Sequence, residues 1–60
     1  MTQRYDMRME RNGTWTVFDI ATGQPALVND VEQVDLEMDQ ADDLVDLLNM
    51  IDLAQHSSKN

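Results

Sequence analysis

Cysteine is missing from this 60-residue chain, which excludes disulfides, thiolate metal sites and cysteine nucleophiles. Such an absence fits a reducing cytoplasm, where structural disulfides are rare. Glycine is confined to Gly13 and Gly23, too few for a phosphate-cradling loop. The single histidine, His56, and the single lysine, Lys59, both lie in a polar tail beside Ser57 and Ser58. Neighbours in sequence do not form a catalytic triad, and a frayed tail cannot preorganise one, so no enzymatic activity is expected. Long apolar runs are absent as well. The opening residues alternate polar and apolar and carry charge throughout, which predicts neither a signal peptide nor a membrane span. No cofactor or metal is expected. The acids Asp35, Glu37 and Asp39 have the spacing of a calcium loop, but Gln40 stands where the tight turn needs glycine.

Base is the scarcest resource. Four lysines and arginines face twelve acids, for a formal charge of −8. The first 29 residues are balanced, with Arg4, Arg8 and Arg11 against Asp6, Glu10 and Asp19. From residue 30 to residue 52 there are nine acids and no base: Asp30, Glu32, Asp35, Glu37, Asp39, Asp42, Asp43, Asp46 and Asp52. A surface of that sign repels phosphate backbones and disfavours direct nucleic-acid binding. It either keeps a small protein soluble or draws in a basic partner.

What is present reads as a small α+β fold. Tyr5, Met7 and Met9 alternate with Arg4, Asp6, Arg8 and Glu10, the period of a half-buried strand over about residues 4–11. Asn12-Gly13 is a hairpin signal, and the β-branched and aromatic run that follows predicts a second strand over residues 14–20. Two registers are open. A two-residue turn pairs Met7 with Phe18, whereas a three-residue turn with Gly13 left-handed pairs Met9 with Trp15 and Met7 with Val17. Burial of Trp15, the largest apolar side chain, favours the second. In either register the other face keeps an apolar pair.

Asp19 is expected to cap a turn that ends at Gly23 and Pro25. A third strand is expected at residues 26–28, then a turn at Asn29-Asp30. Val34, Leu36 and Met38 alternate with acids and suggest a further short edge strand at 33–37. Asp39, with Asp42 three residues on, reads as an N-cap for a helix over residues 40–55. The expected architecture is a three-stranded antiparallel meander, with or without the fourth strand, packed by one C-terminal helix and followed by a flexible tail at 56–60.

The helix carries more apolar surface than one sheet needs. Ala41, Leu44, Val45, Leu48 and Ile51 fill an arc of about 120°, and Leu47, Met50 and Ala54 widen it to about 220°. Asp39, Asp42, Asp43, Asp46 and Asn49 are placed opposite, with Leu53 among them. Either the segment from Val31 to Met38 folds over Leu47 and Met50, or the flank is an exposed strip for another protein or a second copy of the chain. A 60-residue chain buries only about 60% of its unfolded surface, so it gains much from such a contact. Leu47, Met50, Ala54, Asp42, Asp43 and Asp46 are therefore the candidate interaction residues.

The run Trp15-x-Val17-x-Asp19-x-x-Thr22-Gly23-x-Pro25, followed by Ala41-Asp42-Asp43-Leu44-Val45-Asp46-Leu47-Leu48-Asn49, resembles a group of short uncharacterised bacterial proteins. The resemblance spans about residues 5–52. It implies a hairpin, a Thr-Gly-x-Pro turn and a helix, and it brings no activity, cofactor or binding residue. Three functional readings follow: a cytoplasmic protein-interaction or regulatory module whose partner is another protein, a basic one included, or a second copy in a homodimer; a nucleic-acid mimic that occupies a basic protein; or an accessory subunit without activity of its own.

Overall fold

The structure, a computed structural model, describes residues 3–57, with side chains as far as Gln55. Its elements are β1 (Tyr5–Met9), β2 (Trp15–Asp19), β3 (Leu27–Val28), β4 (Val31–Glu32) and one helix, α1 (Met38–Ser57). The strands form two antiparallel pairs, β1 with β2 and β3 with β4. The fold is α+β, but it is not the expected three-stranded meander. Residues 58–60, most of the expected flexible tail, lie outside the described residues, and the helix runs through Ser57 rather than ending at 55.

The hairpin takes the register with the longer turn. Met9 pairs with Trp15 and Met7 with Val17. Glu10 N–H donates to the Thr14 carbonyl at 2.8 Å and Gly13 N–H to the Glu10 carbonyl at 3.0 Å. Gly13 sits at φ 85°, a conformation open to glycine at little cost. The Asn12 carboxamide oxygen then accepts from both the N–H and the hydroxyl of Thr14, at 3.1 and 2.7 Å. This register places Tyr5, Met7, Trp15 and Val17 against the helix.

The far side of β2 is paired by two segments instead of one strand. Asp19 N–H donates to the Gln24 carbonyl and Ala26 N–H to the Val17 carbonyl. Val17 N–H donates to the Gln33 carbonyl, and Trp15 and Leu36 exchange both backbone bonds, at 2.7 and 3.0 Å. Between the two segments, β3 and β4 project as a small hairpin. The cause is the turn at Asn29 and Asp30, whose φ values of 52° and 65° suit a two-residue hairpin loop. It reverses the chain after two residues of strand, so residues 26–28 cannot continue along β2. The edge strand expected at 33–37 is likewise reduced to a single bridge at Leu36, because Asp35 at φ 57° breaks the extended run.

Helix α1 starts two residues earlier than expected. Its N-cap is Glu37 and not Asp39: Ala41 N–H donates to the Glu37 carbonyl at 2.9 Å, the first helical bond. The Gln40 side chain reaches back to accept from Glu37 N–H at 3.0 Å, one half of a capping box. Met38, expected to pack as part of a strand, is the first helical residue and is exposed. The core is small: Val17 and Ala26 from the sheet side and Ala41 and Val45 from the helix, enclosed by Tyr5, Met7, Trp15, Leu36, Leu44 and Leu48. The opposite sheet face is partly covered. Thr16 is buried there, and the Arg8 guanidinium lies 5.1 Å from the centre of the half-buried Phe18 ring.

Candidate docking face on the helix

Twenty residues of helix are about 30 Å long, whereas five-residue strands reach only about 17 Å. The helix therefore outruns the sheet it covers, and Leu53, Ala54 and Gln55 are exposed. Polar side chains hold its middle in place. The Asn49 carboxamide oxygen accepts from Arg4 N–H at 3.1 Å and Tyr5 N–H at 2.9 Å, and its nitrogen donates to the Tyr5 carbonyl at 3.1 Å. Arg4 spans Asp19 at 3.2 Å and Asp52 at 3.0 Å. Both carboxylates, Asp52 foremost, raise the Arg4 pKa further above its ordinary value.

Those bonds correct the expected helix orientation. Asn49, placed with the acids on the outer side by periodicity, is half-buried against β1, and so is Asp52. The buried stripe is rotated toward them because the free edge of β1 presents the N–H and carbonyl of Tyr5, which a carboxamide can satisfy and an aliphatic side chain cannot. The rotation turns Ile51, expected in the core, out to solvent at 44% exposure. Asparagine is a poor mid-helix residue, and its presence there was the available signal.

The segment from Val31 to Met38 does not fold over the helix flank, because Val31 and Glu32 pair with β3 and Gln33 and Leu36 bond to β2. Leu47 and Met50 are accordingly 51% and 66% exposed, and Ala54 is exposed beside them. Asp42, Asp43 and Asp46 face solvent as well. At about 100° per residue, Leu47, Met50, Ile51 and Ala54 share an arc of about 100° and form one continuous apolar strip. Asp43 stands one turn before Leu47 and Asp46 one turn before Met50. All the expected interaction residues thus lie on the outer side of one helix, and Ile51 joins them.

The other sheet face offers less. A shallow depression there is lined by Glu10, Arg11, Thr14, Thr16, Val34 and Asp35. Glu10 is committed within it. The Thr16 hydroxyl bonds its carboxylate and Arg8 pairs with it at 3.0 Å, and together they hold its pKa below the ordinary range. Among the described residues no group of three or more acids and histidines is placed to hold a metal, and no helix is long and apolar enough to cross a membrane. Comparison with protein-family models, with curated proteins and with solved structures gives no match.

Proposed function

We propose that this protein is a small, non-catalytic, cytoplasmic interaction or regulatory module that engages another protein through the outer side of α1. The observation that carries the reading is the strip of Leu47, Met50, Ile51 and Ala54, which among the described residues no other element covers. A helix face with apolar anchors at such spacing is a recurring peptide- and protein-binding device. Kinship with the short bacterial proteins sharing the Thr-Gly-x-Pro turn belongs to the same proposal.

The test is affinity capture from native cell extract with the wild type and with Leu47→Glu/Met50→Lys, both confirmed folded by circular dichroism. The reading expects partners that the wild type retains and the double variant loses. Recovery of the same partners by both would remove the strip as an interface. A second reading, mimicry of nucleic acid toward a basic protein, is favoured by Asp39, Asp42, Asp43 and Asp46, all exposed and without ion-pair partners among the described residues. Mimicry requires affinity that falls steeply with ionic strength and survives Leu47→Glu/Met50→Lys. An accessory-subunit role is a special case of the first reading, with the partner an enzyme.

A further inference from the structure

Resting on the interaction reading above, we infer that the strip on α1 receives a basic amphipathic helix of another protein rather than a second copy of this chain. Two features of the same surface set the partner's chemistry. Leu47, Met50, Ile51 and Ala54 follow the i, i+3, i+4, i+7 spacing that a partner helix meets with apolar side chains at matching intervals. Asp43 and Asp46 border that strip one turn away, with Asp39 and Asp42 beyond them, all exposed.

Charge decides between the possible occupants. The helix contains Asp39, Asp42, Asp43, Asp46 and Asp52 and no lysine or arginine. Arg4 lies near it but is already shared between Asp19 and Asp52. Packing α1 against α1 of a second copy would bring the exposed carboxylates Asp39, Asp42, Asp43 and Asp46 against the same four of its partner, with no base on either helix to offset them. A lysine- or arginine-flanked helix brings the missing charge to the rim and apolar residues to the centre. It also relieves the like-charge pairs Asp39/Asp43 and Asp42/Asp46, each one helical turn apart.

Three synthetic peptides of about five helical turns test this by titration calorimetry at physiological salt. The first carries leucines at i, i+3, i+4 and i+7 spacing flanked by lysines. The second replaces those lysines with glutamine, and the third keeps the first peptide's composition with the leucines scattered around the helix. The inference expects the first to bind at least tenfold tighter than either control. Leu47→Gln/Met50→Gln and Asp43→Asn/Asp46→Asn are each expected to weaken it at least tenfold, the second pair also flattening the salt dependence. Scattered leucines binding equally well would reduce the contact to bulk charge and overturn the inference, as would equal binding of the glutamine peptide or no binding of the lysine peptide. A wild-type dimer by sedimentation that Leu47→Gln/Met50→Gln abolishes would keep the strip as an interface and overturn the basic partner.

Discussion

Asn49 and Tyr5 are joined by two hydrogen bonds of opposite sense: the carboxamide oxygen accepts from the Tyr5 N–H at 2.9 Å while its nitrogen donates to the Tyr5 carbonyl at 3.1 Å. The pairing imitates what a neighbouring strand would do at the open edge of β1. Just beyond, the Asp6 carboxylate takes the Met7 N–H at 2.8 Å, so two successive outward positions of the edge are occupied. An edge so occupied is a poor template for another strand. The helix face, rather than the sheet edge, is left as the surface open to partners.

Asn49→Ala removes three hydrogen bonds and is expected to cost about 1–4 kcal/mol in chemical denaturation. Hydrogen bonds of this kind contribute about 0.5–1.5 kcal/mol each, and the gain in helix propensity recovers only about 0.6 kcal/mol. Asn49→Asp is expected to cost more, because its second oxygen then faces the Tyr5 carbonyl without a proton. Faster amide exchange at Tyr5 accompanies Asn49→Ala, which removes the acceptor of its N–H. An alanine variant as stable as wild type would show that the edge contact contributes nothing.

Added salt is expected to raise the melting temperature. Screening weakens the repulsion among Asp39, Asp42, Asp43 and Asp46 more than it weakens the pairs made by Arg4, whose side chain is 48% exposed and already solvent-screened. Arg4→Ala is expected to lower the melting point at low salt and steepen its rise with salt. A wild-type melting point that falls with salt would contradict this balance.

Glu10 gives the pH prediction. Its folded pKa is depressed by Thr16 and Arg8, so its contribution to stability is complete above the ordinary value of 4.5 and is lost as pH falls through the lower folded value. Thr16→Val removes the largest cause. A carboxyl NMR titration is expected to show Glu10 below the ordinary range in wild type and shifted upward in Thr16→Val. Identical titrations would remove the Thr16 bond from the account.

Backbone conformation separates two turn positions. An added Cβ at Gly13 meets nothing within 4 Å, so the cost of Gly13→Ala comes from φ 85° alone and is expected at about 1–2 kcal/mol. Asp30→Gly, at φ 65° in the small hairpin, is expected to stabilise by up to about 1 kcal/mol. Thermal melts of the two variants moving in the same direction would contradict the assignment of strain.

The parts of the fold legible in the sequence are those fixed by local chemistry. Asn12-Gly13 and the need to bury Trp15 select the hairpin register, and the 3.6-residue period marks α1 and its apolar surplus. The illegible parts depend on contacts distant in sequence. The turn at Asn29 and Asp30 forms its own hairpin instead of extending a third strand, and the bonds of Gln33 to Val17 and of Leu36 to Trp15 show where the chain goes next. Asn49 belongs on the outer face by periodicity, and it turns inward because Tyr5, 44 residues earlier, offers it two backbone partners.

The most direct test of the docking face is a heteronuclear NMR titration of the isotope-labelled protein with the lysine-flanked leucine peptide. The account predicts saturable shifts largest at Leu47, Met50, Ile51 and Ala54, next largest at Asp43 and Asp46, and small across β1 and β2. Shifts centred on the hairpin, or shifts spread over the acids that leave the strip unmoved, would contradict it.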